Sequence, residues 1–474
     1  MLENNFKIRL EMLSDWQVGT GAGIPGSVDE LISKDSKGFP QVPAKTIVGI
    51  WRDALERLCF GLDNGDKNGN WQKWVEIIFG SQPNVEKNPN KIPIPATLSL
   101  QPARISEILR AKIANDERLR QALFFVKVGV KIDELSGTSS TEMLRFEEMG
   151  RIGTVLQADC ELRINDKTAK ALLVLSAELV ERIGGKRRRG AGRCKFSIEN
   201  LMSKDDAITH LKTFQNGEKS PIPQIEEKAD EIEFENSVET NEWQTCEYTL
   251  TLETPVSIVK AVLGNVSEAL DFVPGTYLIS HFIKHCGQDV FKAIQNNNFQ
   301  ISPATISIDG KRGFPVPKVF AQEKQKKEII YNRLLENLDG KDQTKPIREG
   351  YVSDLFSDTV SHAFTPQTLL MHNAVDDSFQ RPTTDVVGIY SREAIKAGIV
   401  LEGEIRFRNI QIEGSSIKGK VRIGTSKKDD YGLARLELKT AKPFKPKSVA
   451  NSRKLVVYLA SDVMLRNNKL RQTN

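Results

Sequence analysis

The sequence predicts an α+β protein made of two tandem ferredoxin-like (RRM-like, βαββαβ) domains. Three observations predict this: two segments of the N-terminal half recur in order in the C-terminal half, both halves open on an alternating strand, and an acidic stretch separates them. Self-similarity at a nearly constant spacing is the signature of a repeated structural unit. We therefore expect a first domain over residues 1–216, an acidic linker over 217–243 and a second domain over 244–474.

The recurring segments share the order of their features. Residues 130–158 and 373–402 both run from an aspartate through a polar stretch to an aromatic residue, a glutamate and a glycine that opens a strand. Asp133 corresponds to Asp376, and Gly153 corresponds to Gly398. Residues 183–198 and 423–438 are both glycine-anchored loops that carry bases and lead into an alternating strand. We interpret the pattern as a tandem duplication.

Periodicity places the elements of the first domain. Alternating polarity predicts a strand over 7–13, and apolar residues at spacings of three and four predict a helix from Ala44. Strands are predicted over 123–132 and 155–164, a second helix over 168–183, and a last strand over 193–198. This order is the split βαβ arrangement. The polar stretches 61–70 and 81–93 are predicted to be insertions, and the second domain follows the order less clearly.

Composition limits the class of protein. A hydrophobic content of 39% with 27% charged residues is typical of a soluble globular chain, and no run reaches the roughly 18 apolar residues of a membrane span. The five cysteines are scattered and lack paired spacing, which favours a reducing, cytoplasmic setting over a disulfide scaffold or a zinc finger. Cys59, Cys160, Cys194 and Cys286 lie in apolar or alternating stretches and are predicted to be buried. The linker holds nine acids against two lysines, which is typical of a solvated connection.

The segment GGKRRRGAGR, residues 184–193, predicts a polyanion site. Glycines let backbone N–H groups approach an anion, and arginine matches phosphate oxygens with a planar donor set. A solvated charged turn is the alternative, and GxxxxGK[ST] is absent. The candidate RNA-binding residues of this loop are Gly184, Gly185, Lys186, Arg187, Arg188, Arg189, Gly190, Gly192 and Arg193, with Lys427 and Lys428 in the recurring loop.

The opening loop VGTGAGIPGSVDELISKDSKGFP, residues 18–40, is out of register with the dinucleotide fingerprint. Its aspartates could hold a divalent cation such as Mg²⁺ against a phosphodiester, because hard oxygen ligands suit that ion. Asp35 is predicted instead to begin a turn before Gly38, whereas Asp29 stays open between the two roles. His281 and His285 have no acid between them as in HExxH, which favours histidines at the edge of the core.

These motifs resemble the RAMP superfamily, ferredoxin-like proteins that build CRISPR RNA-guided effector complexes. The resemblance is carried by residues 19–52, by the glycine-rich loop 184–193, by the duplicated Asp…Glu…Gly element, and by the FVPGT turn at 272–276. The tandem layout is most similar to the double-RAMP subunit of subtype III-D complexes.

The resemblance implies a crRNA-binding structural subunit of a type III antiviral complex, at the crRNA 5′ tag beside the large polymerase-like subunit. Its implied partners are crRNA, target RNA, that large subunit and backbone RAMP subunits, with no membrane. Lys45 and Arg52, at the start of the first helix, join the candidate RNA contacts. One alternative is a backbone-type endoribonuclease that cuts target RNA with Asp29 and a metal. Another is a protein-interaction module that docks neighbouring subunits.

Overall fold

The computed structural model describes residues 5–66, 68–81, 94–133, 138–214, 242–324, 330–334, 343–355, 360–373, 389–410, 412, 419–426 and 430–445. The chain divides into two units. Unit 1 comprises Met1–Ala229, Leu370–Ser391 and Lys428–Asp430, and unit 2 comprises Asp230–Leu369, Arg392–Lys427 and Tyr431–Asn474. Most of the predicted linker, the predicted insertion over 82–93 and Asp376 lie outside the described residues.

Unit 1 is a mixed α and β structure. Its elements are β1 (Asn5–Met12), β2 (Gln41–Val42), α1 (Ala44–Leu62), α2 (Asn70–Phe79), β3 (Leu98–Leu100), β4 (Ala103–Arg104), α3 (Glu107–Ile113), α4 (Glu117–Gln121), β5 (Phe124–Ile132), β6 (Ser139–Gly150), β7 (Val155–Leu162), α5 (Lys167–Ala177), a 3₁₀ turn (Arg187–Arg189), β8 (Cys194–Glu199) and α6 (Lys204–Thr213).

The main sheet of unit 1 has the order β2-β4-β7-β1-β8, and β3 also pairs with β7. Strand β1 lies between β7 and β8 and is antiparallel to both. Its alternating residues Phe6, Ile8, Leu10 and Met12 are buried, as the period of two predicts. Trp51 of α1 packs on this core and donates its indole N–H to Ser176 Oγ at 3.0 Å. The predicted first strand and first helix are confirmed.

The predicted helix over 168–183 is too long, because α5 ends at Ala177. Residues after it form turns, in which the Val180 N–H donates to the Ala177 carbonyl. The chain must then extend, because Arg182 forms a bridge with Arg193 just before β8. Val180 and Ile183 are still buried, so the apolar periodicity continues past the end of the helix.

Strands β5 and β6 form a two-stranded antiparallel hairpin. The sequence predicts β5 correctly. It does not predict β6 as a strand, because β6 lies in the segment 130–158 that the sequence indicates only as part of the duplicated element. The hairpin joins the opening segment at its base, where Trp16 and Gly150 exchange backbone hydrogen bonds of 3.0 and 2.8 Å. It therefore continues the backbone pairing that follows β1.

Unit 2 is built mainly from strands. Its elements are β9 (Gln244–Leu252), β10 (Val259–Leu263), β11 (Val266–Ala269), α7 (Thr276–Gln295), β12 (Phe299–Ile301), β13 (Thr305–Ile308), β14 (Lys311–Arg312), β15 (Phe314–Pro315), β16 (Phe320–Glu323), β17 (Ile330–Asn332), β18 (Thr344–Pro346), β19 (Tyr351–Val352), β20 (His362–Ala363), parts of β21 (Gln367–Asn373) and β22 (Ile389–Ile395), β23 (Val400–Phe407), β24 (Gly419–Arg422), β25 (Leu433–Leu438) and β26 (Lys442–Pro443). The remaining residues of β21 and β22, from Leu370 and up to Ser391, are assigned to unit 1.

The main sheet of unit 2 has the order β14-β13-β23-β9-β25-β24, with β12 on β23 and β26 on β9. Strand β9 lies between β23 and β25 and is antiparallel to both, as β1 is to β7 and β8. Leu278 and Phe282 of α7 are fully buried in the core of this unit. Between β23 and β25 the described residues form β24, whereas unit 1 has α5 at that point of the order. The order of elements in unit 2 therefore departs from that in unit 1, as the sequence predicts.

The cysteines are free thiols in or beside the cores. Cys59, Cys160 and Cys194 are buried, as predicted, whereas Cys286 is half-buried; Cys246 is buried as well. Burial, with smaller contributions from Asp63 and Glu56, raises the pKa of Cys59 to about 12. Among the described residues, no helix combines the length and apolarity needed to cross a membrane.

Candidate nucleic-acid interface

The basic loop, residues 183–193, leaves and rejoins the core at one point. The Ile183 N–H donates to the Gly192 carbonyl at 2.8 Å, and the Gly192 N–H donates to the Asp15 carbonyl at 2.8 Å. The Gly185 N–H donates to the Gln17 carbonyl at 2.8 Å. These bonds attach both ends of the loop to the segment that follows β1.

Two of the predicted glycines are required by this geometry. Gly184 and Gly192 have φ values of +84° and +73°, in the left-handed region that L side chains rarely adopt. A Cβ at these positions would collide with the carbonyl oxygens of Gln17 and Ile183 respectively. The two glycines therefore fix the backbone path at the two ends of the loop, and the turn of three arginines lies between them.

The three consecutive arginines form an ordered turn. Arg187–Arg189 is a 3₁₀ turn that follows Lys186 in the left-handed conformation, with Gly190 at its end. The Arg189 N–H donates to the Lys186 carbonyl at 2.8 Å, and the Arg182 guanidinium donates to the Arg187 carbonyl at 2.8 Å. All three arginine side chains and that of Arg193 are exposed. The turn and Arg193 together thus present four guanidinium groups to solvent.

Lys186 differs from the arginines around it. Its ammonium forms an ion pair with Glu147 of β6, and the Glu147 side chain is only 11% exposed. Burial lowers the pKa of Lys186, the Glu30 carboxylate opposes this, and Arg189, Arg145 and Lys127 lower it further. Lys186 therefore joins the loop to the hairpin.

Sequence reasoning missed two cations beside the loop. Lys127 lies opposite Glu147, and Arg145 lies opposite Gly129, so all three side chains are on one face of the hairpin. Lys127 and Arg145 are exposed and close enough to Lys186 to act on its pKa. The alternation in FVKVGVKI could have placed Lys127 on that face, but the register with β6 was needed for Arg145.

The opening loop is attached to the same hairpin. Its Thr20 N–H donates to the Leu31 carbonyl at 2.9 Å, which closes the glycine-rich part on itself. The Glu148 carboxylate accepts the Ile32 N–H at 3.1 Å and contacts the Lys34 ammonium at 2.7 Å. This buried glutamate fixes the return of the loop, and its role was not predicted.

Asp29 pairs with the backbone of β6. Its N–H donates to the Phe146 carbonyl at 2.8 Å, and its Oδ2 accepts the Phe146 N–H at 2.7 Å. The residue is exposed. In the part of the chain that the structure describes, no three histidine, cysteine, aspartate or glutamate side chains are placed to hold a metal ion. A metal-dependent catalytic role for Asp29 stays a prediction.

Asp35 is structural, as the sequence predicts. Its Oδ1 accepts the N–H groups of Lys37 and Phe39 at 2.9 and 3.0 Å. Its Oδ2 lies 2.6 Å from Arg110 Nη2, and the two side chains are 2% and 9% exposed. The carboxylate thus closes the turn and ties it to α3.

The remaining candidates fall in different places. Arg52 contacts Glu56 at 2.8 Å and donates to the Gly80 carbonyl at 2.6 Å, so its guanidinium links α1 to the end of α2. Lys45 is half-buried in the first turn of α1. His281 and His285 lie one turn apart on α7, with ring centroids 4.1 Å apart. Lys427 and Lys428 lie outside the described residues.

A second loop, residues 423–433, is attached in unit 2 as the basic loop is in unit 1. The Ile423 N–H donates to the Gly432 carbonyl at 2.8 Å, and the Gly432 N–H donates to the Pro255 carbonyl at 2.8 Å. The Thr425 N–H donates to the Ser257 carbonyl at 2.9 Å. Each of these residues stands 240 positions after its counterpart in unit 1.

Comparison with known proteins gives one family and several distant structures. No curated protein matches the chain in sequence. A chain of the type III-B Cmr-beta complex in the apo state has 12% identity and a TM-score of 0.31, over 41% of this chain and 97% of that chain. A chain of the same complex bound to cognate target RNA has 11% identity and a TM-score of 0.30, over 41% and 96%.

A chain of a type IV-B CRISPR complex has 14% identity and a TM-score of 0.30, over 41% of this chain and 90% of that chain. The family comparison is more specific, because residues 9–195 match the model of the RAMP superfamily. The matched range includes β1, the opening loop, the hairpin and the whole basic loop. Over residues 9–195 the chain is therefore similar to the RAMP superfamily.

Proposed function

We propose that this protein is an RNA-binding structural subunit of a type III CRISPR effector complex, and that it holds crRNA through the basic loop. The observation that carries the proposal is the exposed turn Arg187–Arg189, seated between two obligatory glycines within the RAMP region. Exposed guanidinium groups on a fixed backbone suit the phosphates of a single strand, because little side-chain and loop freedom is then lost on binding.

The proposed contact surface extends onto the hairpin. Lys127 and Arg145 share a face with Glu147, which is joined to Lys186 of the loop. RNA that follows the arginine turn would meet these two cations next. The finer assignment, to the crRNA 5′ tag beside the large subunit of a subtype III-D-like complex, rests on the resemblance of the tandem layout.

We also propose that the two units are copies of one ferredoxin-like domain. The support is the constant spacing of 240 residues between the attachments of the two loops, and the equivalent central positions of β1 and β9. In this proposal β24 stands, among the described residues of unit 2, at the place of α5.

The test is recovery of RNA with the full chain from cells that co-express a CRISPR repeat array. We expect sequencing to identify repeat-derived crRNA with the wild-type chain, and the variant with alanine at Arg187, Arg188, Arg189 and Arg193 to lose most of it. A matched control replaces Lys73, Lys167, Lys170 and Lys212, exposed or half-buried cations of the helices, with alanine. Equal RNA recovery from both variants would contradict the proposal.

A second candidate function, docking of neighbouring subunits, is favoured by the other face of the hairpin. Val126, Val128 and Val130 alternate along β5 with exposures of 45%, 55% and 56%, and Leu144 opposite Val130 is 52% exposed. Aliphatic side chains in such a row favour burial against a partner. We expect Val128→Asp to reduce co-purification with the other effector subunits and to leave RNA affinity of the isolated chain unchanged. Unchanged co-purification would remove this candidate.

A further inference from the structure

The ion pair between Glu147 and Lys186 lies directly beneath the arginine turn. Lys186 precedes Arg187, and its carbonyl accepts the Arg189 N–H that closes the turn. Its φ of +57° is in the left-handed region, which a lysine adopts only when its surroundings hold it there. The side chain of this one residue is therefore tied to β6 while its backbone shapes the turn.

Glu147 is itself held in place. It is 8% exposed, it lies opposite Lys127 in the hairpin, and its backbone forms a parallel bridge with Glu30 of the opening loop. The neighbouring Glu148 N–H donates to the Glu30 carbonyl at 2.9 Å. The carboxylate that receives Lys186 is thus attached to two segments of the first unit.

Unit 2 has an equivalent side-chain contact between a strand and its loop, made by different residue types. We call this contact the tether in both units. Ser426 stands 240 positions after Lys186 and also has a positive φ, of +53°. Arg392, on the strand that corresponds to β6, donates to Ser426 Oγ at 2.6 Å. The contact between strand and left-handed loop residue is present in both units, although the charge of the strand residue is opposite. What the two units share is the tether, not a charge.

We propose that Glu147 is a positioning residue for RNA binding, because it fixes the arginine turn through Lys186; this rests on the proposed RNA-binding function. The expected direction of the change in RNA affinity when Glu147 is removed is unusual. Glu147 is an anion beside a cationic loop, so its removal should strengthen RNA binding if only charge mattered. If its role is to hold the turn, its removal weakens binding.

The first experiment compares wild-type chain with Glu147→Gln in binding a single-stranded RNA, by fluorescence anisotropy at several salt concentrations. We expect the variant to bind about five- to tenfold more weakly, because the arginines lose their preorganised arrangement. The salt dependence should stay the same, since the same cations still meet phosphates. Glu161→Gln, which removes a carboxylate from β7 whose side chain is 46% exposed, is the matched control and should bind like wild type. Equal or tighter binding by Glu147→Gln would overturn the inference.

The second experiment restores the tether with the chemistry of unit 2. The double variant Glu147→Arg with Lys186→Ser places the pair found at Arg392 and Ser426 under the arginine turn. We expect this variant to bind RNA more tightly than the double variant Glu147→Gln with Lys186→Ser. The slopes of log affinity against log salt for the two variants should differ by less than the contribution of one phosphate contact. If the two double variants bind equally, the tether has no effect and the inference fails.

A third readout does not require RNA. Trypsin cleaves after arginine, so the rate of cleavage at 187–189 in the free chain reports how well the turn is held. We expect faster cleavage in Glu147→Gln at an unchanged thermal midpoint, and a return toward the wild-type rate in the Arg and Ser double variant. An unchanged cleavage rate would overturn the inference even where wild-type chain binds RNA. Absence of RNA binding by wild type, with faster cleavage in the variant, would count against the proposed function alone.

Discussion

The basic loop of unit 1 and the second loop of unit 2 have the same attachment and opposite content. In both, the residue before the first glycine bonds to a later glycine, and that glycine bonds to the segment after the first strand. Residues 184–193 of unit 1 carry one lysine and four arginines, whereas residues 424–433 carry two lysines and two aspartates. Tyr431 of the second loop is fully buried, and the Arg392 guanidinium lies 5.7 Å from its ring centroid.

This difference separates two properties of a glycine-rich loop. The glycines and their carbonyl partners determine its backbone path, and this part is shared by both units. The residues between them determine whether it attracts a polyanion. Glycine content alone therefore indicates only how the loop is attached to the fold, whereas the cations indicate that a polyanion is its ligand.

The largest expected effect comes from removing the cations of one loop. With alanine at Arg187, Arg188 and Arg189, we expect RNA affinity to fall about 100-fold, and the slope of log affinity against log salt to flatten by about 2, at about 0.7 for each phosphate of a single strand. Alanine at Lys427 and Lys428 should change affinity by less than about threefold. Titrations of a labelled RNA at four salt concentrations measure both. Similar losses in the two variants would remove the distinction between the loops.

The shared attachment can be broken in each unit separately. Gly184→Ala and Gly424→Ala should each lower the free energy of unfolding by about 1–3 kcal/mol, because alanine is strained at a positive φ and its Cβ meets the Gln17 or Ser257 carbonyl. Chemical denaturation measures the loss. Gly190→Ala is the matched control, since its φ is also positive but no atom lies within 4 Å of the added Cβ. We expect only Gly184→Ala to reduce RNA affinity as well.

In each unit, the strand residue of the tether is followed by a glutamate, and these two glutamates offer a further comparison of the units. Glu148 accepts the Ile32 N–H and pairs with Lys34, whereas Glu393 accepts the Ala269 N–H at 2.9 Å. Glu148→Gln keeps an acceptor but loses the ion pair in a buried place, so we expect a loss of about 1–2 kcal/mol in unfolding free energy. Glu393→Gln should cost less than about 0.5 kcal/mol. A larger loss at Glu393 would contradict this order.

Asp29→Ala has a smaller expected effect on stability than the glycine substitutions or Glu148→Gln. Counting back from Ile32 and Ala269, its counterpart in unit 2 is Val266, on the short hairpin that replaces the glycine-rich loop. We expect Asp29→Ala to lower the free energy of unfolding by about 1 kcal/mol, through loss of its hydrogen bond to the Phe146 N–H. Assembled complexes should still cut target RNA at every site. Loss of one cut at unchanged stability would instead assign catalysis to Asp29.

Sequence reasoning succeeded where the signal is local. Alternation placed β1, spacing placed the start of α1, and the turn residues after Asp35 placed its hydrogen bonds. It failed where distant residues meet. Glu147 and Lys186 are 39 residues apart, and their contact depends on the register of the hairpin and on a left-handed lysine. The end of α5 was missed for the same reason, because the bridge between Arg182 and Arg193 overrides the local periodicity.

The attachment of the basic loop also has a consequence during synthesis of the chain. The Leu13 N–H donates to the Arg193 carbonyl, and Gln17 receives Gly185, so the loop closes only when the start and the end of the first half meet. Contacts of such long sequence separation form late in folding. A ribosome that has not yet released residue 193 carries a chain without this surface. In the proposed function, guide RNA can therefore be captured only after the first half of the polypeptide has emerged.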